Sequence, residues 1–297
     1  MTKIGFVILH YNVIEETIKC IESIQGLKGY EHCFVVIVDN ASPNNTGEIL
    51  RDKYIEDSQI KVILRDKNDG FSRGNNEGCA YAIKNGQPDF LVVANNDIVF
   101  EQADFCERIV EEYKNSGFAV LGPDIYNPNK KIHQSPMADN PPSLWEVNRS
   151  IILNSISLWL YPLIYPLFAY WYKTNEDVNV AEEHRVRKEN VCLMGATLIY
   201  SKKYFEKYFP VFSPETFFYY EEFMLSQRCR FNNELIVFEP SIYVLHMDGR
   251  ATDSVTLKRE YKRIKFRTRN ILKAARIYRS YLLKGEVQCG NSREESH

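Results

Sequence analysis

Two amides and a carboxylate interrupt an apolar run in the sequence FLVVANNDIVF, residues 90–100. The first residues favour a buried strand, and Asn95, Asn96 and Asp97 follow it directly. Asn and Asp favour turns through their side-chain hydrogen bonds, so a turn is one interpretation. In the other, the strand presents Asp97 at a sheet edge, where Mg²⁺ or Mn²⁺ binds carboxylates beside phosphates.

Two earlier strand-like runs also end in polar residues. KIGFVIL (3–9) leads into Tyr11 and Asn12, and FVVIVD (34–39) ends at Asp39, with Ser42 close behind. Ligands of parallel α/β sheets bind beyond the carboxyl ends of the strands, so we expect these side chains to converge. Asp39 could accept the N3–H of a uracil or thymine ring, or it could close a turn with Ser42.

The segment DGFSRGNNEG, residues 69–78, combines glycines four apart with an arginine and two asparagines. It is neither GxGxxG nor a P-loop, which disfavours dehydrogenases and NTPases. Glycines let backbone N–H groups approach phosphates where a helix begins. We therefore expect Gly70, Arg73, Asn75 and Asn76 to contact a phosphorylated ligand, with a structural turn as the alternative.

Two adjacent glutamates, Glu221 and Glu222, follow the aromatic run FFYY at 217–220. Acidic residues in a first helical turn interact favourably with the helix dipole, which is the structural interpretation. An aromatic wall could instead raise a carboxyl pKa and make either glutamate a general base near neutral pH. His246 ends a later run, VLH, and fits a core histidine, a second metal ligand or a phosphate contact.

Composition excludes several classes of protein. The chain has 297 residues, is 44% hydrophobic and carries a net charge of −2, so nothing in the overall charge predicts nucleic-acid binding. Seven cysteines without a CxxC pair argue against a common zinc site and a disulfide framework. They suit a reducing cytosol, and the first apolar run is shorter than a signal-peptide core, so we expect a cytoplasmic protein.

Strands and helices alternate over the first 125 residues, from which we predict an α/β fold with a mainly parallel sheet covered by helices on both faces. Asn12 is a plausible N-cap of the first helix. Further strands are expected at 191–201, 235–240 and 242–246, a strand end at 217–220, and a long basic helix at 254–283. We divide the chain into 1–125, 126–250 and 251–297, the last being a basic helix and tail.

An apolar insertion is expected at 144–172, and its part from Ile151 to Tyr172 contains no charged residue. It has the length of a membrane span but contains two prolines and several polar residues. Its Trp and Tyr residues are typical of a membrane–water interface. Shallow interfacial insertion, a buried hairpin or dimer contact, and a true span are the three interpretations.

Taken in order, the motifs HYN, VDNAS, DGFSRGNNEG, NNDIVF, MGATLIY, FFYYEEFMLSQR and VLH resemble family 2 glycosyltransferases with the GT-A fold, over about residues 3–280. The resemblance is to bacterial polysaccharide-building enzymes of the rhamnosyl- and galactosyltransferase type. It implies that Asp39 contacts the nucleotide base and that Asp97 is the metal carboxylate of a DxD-type motif whose first Asp is missing. Glu222 stands in place of the usual catalytic Asp, and Met224 in place of a later acidic residue.

This resemblance implies inverting transfer from a UDP- or dTDP-linked sugar to a saccharide acceptor, lipid-linked and at the cytoplasmic membrane surface, with Mn²⁺ or Mg²⁺ as cofactor. It places Tyr11, Asn12, Ser42, Asn95 and Asn96 beside the donor. It also makes 1–125 the nucleotide-sugar-binding half and 126–250 the acceptor-binding and catalytic half. A homodimer is a further expectation. The alternative is a non-catalytic sugar-nucleotide-binding module of the same fold, since the glutamate site departs from the family pattern. A sugar-nucleotide oxidoreductase would need the dinucleotide fingerprint that this sequence lacks.

Overall fold

A computed structural model describes residues 2–174, 185–247 and 257–284. Its centre is a single ten-stranded sheet in the order β3-β2-β1-β4-β9-β6-β10-β5, with β7 paired to β6 and β8 to β10. The strands are β1 Ile4–His10, β2 Cys33–Asp39, β3 Ile60–Leu64, β4 Phe90–Asn95, β5 Ile98–Val99, β6 Val120–Asn127, β7 Ile132–His133, β8 Lys188–Glu189, β9 Thr197–Ser201 and β10 Ile236–His246.

Helices cover both faces of this sheet. The described helices are α1 Ile14–Gln25, α2 Thr46–Lys53, α3 Phe71–Tyr81, α4 Phe105–Ser116, α5 Leu144–Thr174, α6 Lys202–Lys207, α7 Glu221–Phe231 and α8 Leu257–Lys284. One buried apolar cluster joins the sheet to α1, α2 and α4, and a second joins it to α3, α6 and α7. The predicted α/β class with helices on both faces is confirmed.

The strands read as continuous apolar runs because both of their faces are buried. In β1, Phe6 and Ile8 enter one apolar cluster while Val7 between them enters the other. Successive side chains of a strand point to opposite faces, so covering both faces removes the need for polar residues. The same pattern in β2 and β4 made these strands predictable.

Strands β3, β2, β1 and β4 are parallel, while β9 inserts antiparallel between β4 and β6. The sheet is therefore mixed, and the second half of the chain contributes β9 and β10 to the same layer as the first half. Residue 125, where we divided the chain, lies inside β6. The pairing of Ala94 with Thr197 brings the end of β4 beside the start of β9.

Four local predictions were wrong. Asn12 is not the N-cap: Val13 precedes α1, and Asn12 itself has φ 65°. The strand expected at 191–201 covers only 197–201, and the two strands expected at 235–246 are one strand, β10, with an irregularity between Glu239 and Tyr243. Residues 217–220 are bends rather than a strand end, and Tyr219 and Tyr220 both have positive φ, which a strand does not allow.

The long uncharged stretch belongs to one helix, α5, so the hairpin interpretation was wrong. α5 packs against α8, and a third apolar cluster, built on Val147, Met224, Ala275 and Tyr278, joins both helices to α7. Across the described ranges no helix is long and apolar enough to cross a bilayer. The expected start of the last helix, at 254–256, lies outside the described residues.

Candidate functional site

The carboxyl ends of β1, β2 and β4 lie side by side at one edge of the sheet. In the strand register His10 is opposite Asp39, and Leu9 is opposite Asn95. This edge is where ligands of α/β proteins bind. The register therefore brings together residues that are up to 86 positions apart in the chain, as the sequence predicted.

Asp39 closes a tight turn at the end of β2. Its carboxylate accepts the backbone N–H of Ser42 at 3.2 and 3.3 Å and the Ser42 hydroxyl, and only 4% of Asp39 is exposed. Ser42 Oγ also accepts the N–H of Asn12 at 2.9 Å. The turn interpretation is thus realised, and a carboxylate with several lone pairs keeps acceptor capacity for a base. Tyr11 beside it is 43% exposed.

His10 joins the two polar strand ends, a role that the sequence did not reveal. It is fully buried, with Nδ1 2.7 Å from the Thr17 hydroxyl and Nε2 2.9 Å from the Thr46 hydroxyl. Burial lowers its pKa, which favours the neutral ring. Asn96 donates to the same Thr17 hydroxyl at 3.0 Å, so His10 connects the turn at Asp39 to the NND segment.

Arg65, directly after β3, holds the neighbouring loop with a side chain that is 10% exposed, and the sequence did not reveal this role. Its guanidinium donates to Asn40 Oδ1 at 2.7 Å and to Glu77 Oε2 at 2.8 Å, and lies 3.4 Å from Asp69 Oδ2. Asn40 in turn donates to the carbonyl of Gly70 at 3.3 Å. These contacts fix the glycine loop against the end of β2.

The glycine loop packs on the segment that leads to the two glutamates. Gly70 has φ 93°, and a Cβ there would collide with the carbonyl of Phe217, whose oxygen accepts the N–H of Phe71 at 2.9 Å. A left-handed φ and this close approach both require glycine. The loop thus packs against residues 212–217 and also lies beside the sheet edge.

The polar side chains after Gly70 serve this packing. Asn76 exchanges two hydrogen bonds with the backbone of Phe212, at 2.8 and 2.9 Å, which occupies both ends of its amide. Arg73 donates to the carbonyl of Pro214 at 3.0 Å, and Asn75 to that of Phe71 at 3.2 Å. Their role towards a phosphorylated ligand stays a prediction.

Asp97 and His246 face each other at the rim of the sheet. Asp97 Oδ1 lies 3.3 Å from His246 Nε2, and His246 Nδ1 lies 2.6 Å from Gln134 Oε1. The amide oxygen can only accept, so Nδ1 is the donor in this contact and Nε2 is the ring nitrogen that faces the carboxylate. The pair has the donor types that Mn²⁺ binds.

Two such ligands meet here among the described residues. The described part of the chain contains no group of three or more His, Cys, Asp or Glu side chains placed to hold a metal. Mg²⁺ and Mn²⁺ are nevertheless held in many enzymes by one or two carboxylates together with substrate phosphates and water. Asp97 and His246 fit that arrangement, with the remaining ligand positions left to a diphosphate.

The two glutamates begin α7 in a desolvated setting. Glu221 is 6% exposed, and its Oε1 accepts no hydrogen bond from any described residue. Burial, and then repulsion from Glu222, raise the pKa of Glu221 to about 8. Burial likewise raises the pKa of Glu222, whose carboxyl accepts the backbone N–H of Gly195.

Gly195 connects Glu222 to the NND segment. A Cβ on Gly195 would lie 2.7 Å from Glu222 Oε1, so a larger residue there would displace this carboxyl group. The next residue, Ala196, accepts the N–H of Asn95 at 2.9 Å. The structure therefore places Glu222 near the end of β4, and the MGA segment, which the sequence treated as strand, is the spacer between them.

The raised pKa of Glu221 predicts a loss of stability as pH rises. Between about pH 4.5 and pH 8 the folded protein retains a proton that the unfolded chain has released, so the free energy of unfolding falls across this window, by up to about 1.4 kcal/mol per pH unit. Glu221→Gln should flatten this slope in urea titrations at several pH values. Glu111→Gln, at an exposed position, is the control, and an unchanged slope in Glu221→Gln would contradict the assignment.

Residues 6–209 match the family described as Glycosyl transferase family 2. The chain belongs to this family. Glycosyltransferase GlyG of Streptococcus pneumoniae serotype 4 is 21% identical to this chain over 124 residues, which cover 42% of this chain and 39% of GlyG. The aligned part therefore spans less than half of that relative.

Solved structures show the same fold. S. aureus TarS 1–349 aligns with a TM-score of 0.54 and 14% identity, over 97% of this chain and 76% of that chain. A complex of TarS 1–349 with UDP-GlcNAc aligns at 0.54 and 15%, over 90% and 66%. The mannosyltransferase PcManGT of Pyrobaculum calidifontis, in complex with GDP-Man and Mn²⁺, aligns at 0.54 and 9%, over 97% and 77%. The predicted family and GT-A-type fold are confirmed.

Proposed function

We propose that this glycosyltransferase is an inverting, metal-dependent enzyme that moves a sugar from a nucleoside diphosphate to a saccharide hydroxyl. The observation that carries the proposal is that Asp97 and His246 face each other at the sheet edge to which Gly195 also brings the carboxyl group of Glu222. A cation-binding pair for a leaving diphosphate and a desolvated base for an attacking hydroxyl are the two groups that such a displacement needs.

The donor is a UDP- or dTDP-linked sugar. Asp39 is buried at the end of β2 and retains acceptor capacity for the N3–H that uracil and thymine share. Support comes from TarS, which has been solved with UDP-GlcNAc, whereas PcManGT, which has been solved with GDP-Man and Mn²⁺, supports the cation and not the pyrimidine base. Gly70 and the start of α3 lie beside Asn40. The N–H groups of Gly70 and Phe71 donate to Asn68 and Phe217, so the diphosphate would meet the N–H groups that follow them in the first turn of α3.

Asp97 and His246 hold the divalent cation, Mn²⁺ or Mg²⁺. When bound, the ion neutralises charge on the departing diphosphate as a Lewis acid. Gln134 fixes the ring of His246 by binding Nδ1, which directs Nε2 to the ligand side. Asn96, tied to Thr17, orients the turn that carries Asp97.

Glu222 accepts the proton of the acceptor hydroxyl. The hydroxyl oxygen then forms a bond to the anomeric carbon from the face opposite the diphosphate, and the bond from that carbon to the phosphate oxygen breaks. A single displacement inverts the anomeric configuration. The raised pKa of Glu222 makes its carboxylate a stronger base than an exposed glutamate, and Glu221 beside it is the second candidate.

The acceptor is a saccharide, lipid-linked, of the kind used to build cell-surface polysaccharide.

The alternative function, a non-catalytic sugar-nucleotide-binding module, is supported by one specific observation. Met224, which stands where the family has a later acidic residue, is 2% exposed inside the α5–α7–α8 cluster and serves packing. Release of nucleoside diphosphate with formation of a glycosylated product separates an enzyme from a binding module.

A panel of sugar nucleotides in thermal unfolding tests the proposal directly. The correct donor at 100 times its dissociation constant should add about 2.7 kcal/mol of stability, which is a rise of roughly 5 °C or more in Tm. The rise should require Mn²⁺ or Mg²⁺, and chelation should reverse it. Adenine-linked donors are the control, since adenine has no ring N–H for Asp39 to accept, and an equal response to them would contradict the assignment of the donor.

A further inference from the structure

An exposed stripe of large apolar side chains runs along α5. Trp145, Ile152, Ile156 and Trp159 are 70%, 58%, 49% and 81% exposed. Their spacing of seven, four and three residues places them on one face of the helix. A contiguous apolar face of this kind on a protein surface marks an interaction site.

A cationic groove lies where α5 meets α8. Arg269, Lys273 and Arg276, spaced four and three residues apart, are exposed and line a cavity of about 440 Å³. These three side chains form no ion pair with any residue that the structure describes. The apolar residues of the same cavity are Leu158, Leu272 and Ile277.

We propose that this α5–α8 face docks on an anionic lipid bilayer, with the stripe entering the interface and the groove binding lipid phosphates. Tryptophan and aliphatic side chains partition into the headgroup boundary, and each nearby Lys or Arg adds attraction to anionic lipid. Charge complementarity selects this partner. α8 carries eleven Lys and Arg residues against one Glu, so a second copy of the same face would meet like charge.

Docking would also orient the proposed active site. The α5–α8 pair is attached to α7 through Met224 and through Tyr220, whose ring lies 5.4 Å from that of Tyr278. α7 begins at the glutamates, so the lipid surface and the proposed base are fixed relative to each other. This consequence rests on the proposed function, whereas lipid binding itself does not.

Vesicle flotation of the full chain tests the cationic part of the proposal. Binding to phosphatidylcholine vesicles that include phosphatidylglycerol should exceed binding to phosphatidylcholine alone, and should weaken at 1 M salt, where screening acts within about 3 Å. The variant Arg269→Gln/Lys273→Gln/Arg276→Gln should lose roughly a hundredfold in partitioning to the anionic vesicles. Lys53→Gln/Lys61→Gln/Lys114→Gln removes the same charge from exposed sites elsewhere and should bind as the unmodified chain does.

The apolar part has its own variant. Ile156→Ser/Trp159→Ser should reduce partitioning to both kinds of vesicle by about tenfold or more, while Ile55→Ser, at a 68% exposed position outside the stripe, should not. Light scattering without lipid reports the oligomeric state. The proposal would be overturned if none of these variants changed vesicle binding. It would also be overturned if the chain did not bind vesicles but formed a dimer that Ile156→Ser/Trp159→Ser dissociates. The donor-induced rise in Tm should persist in every variant, so its absence would count against the proposed function instead.

Discussion

Glu222→Gln should reduce sugar transfer by about 10²–10⁴-fold while leaving donor affinity close to that of the unmodified chain. The amide keeps the size of the side chain beside Gly195 but cannot accept the proton of an acceptor hydroxyl. Donor affinity should hold because the residues proposed to contact the nucleotide lie on other elements. Product formation under saturating donor, together with a donor titration, measures both quantities.

Glu221→Gln is the matched control for this variant. It removes the carboxyl group next to Glu222 but leaves the one beside Gly195 in place, and burial is what raises the pKa of Glu222. We expect a smaller loss of transfer and an acid limb of the pH–rate profile that stays where it is in the unmodified chain. If Glu221→Gln is the inactive variant and Glu222→Gln turns over normally, Glu221 is the base.

The pH dependence of transfer follows from the same pair. A base must be deprotonated to act, and burial raises the pKa of Glu222 above the ordinary glutamate value of 4.5. Transfer should therefore increase with pH along an acid limb that lies above pH 4.5. An acid limb at the position of an exposed glutamate would indicate that neither buried carboxyl group takes the proton.

The strands and their polar ends were predictable because they depend on local pattern. Continuous apolar runs in β1, β2 and β4 require burial on both faces, and parallel strands bring their carboxyl ends to one edge. The position of Asp39 and Asp97 at this edge could therefore be predicted from the sequence alone. The prediction of β9 was less accurate: residues 191–196 are mostly apolar, but they lie outside this strand, and Gly195 among them contacts Glu222.

The missed residues owe their roles to partners far along the chain. Gln134 holds His246 across 112 positions, and Arg65 holds Asn40 across 25. His10 takes its two hydroxyl partners from α1 and α2, and the sequence offered only its position at a strand end as a signal. The turn at 217–220 was missed for a different reason: the positive φ angles of Tyr219 and Tyr220 are imposed by packing, and aromatic residues do not favour them.

Asp97→Asn should abolish the part of donor binding that depends on the metal. It should also reduce transfer by at least about 10²–10³-fold, the range found when one preorganised electrostatic contact to a reacting group is removed. The amide retains the shape of the side chain at the end of the NND segment but loses the charge that attracts a divalent cation. Two measurements separate this from a structural effect: transfer rate, and the Mn²⁺-dependent part of the donor-induced rise in Tm.

Asp69→Asn is the control, since Asp69 also lies beside the site but contacts Arg65 and Lys67 rather than His246. It should retain the Mn²⁺-dependent rise. His246→Gln should weaken the metal response less than Asp97→Asn does, because a neutral ligand contributes less than a carboxylate to holding a cation beside a diphosphate. A full Mn²⁺ response in Asp97→Asn would show that the cation does not bind at this edge of the sheet. Lys and Arg side chains would then have to neutralise the leaving diphosphate.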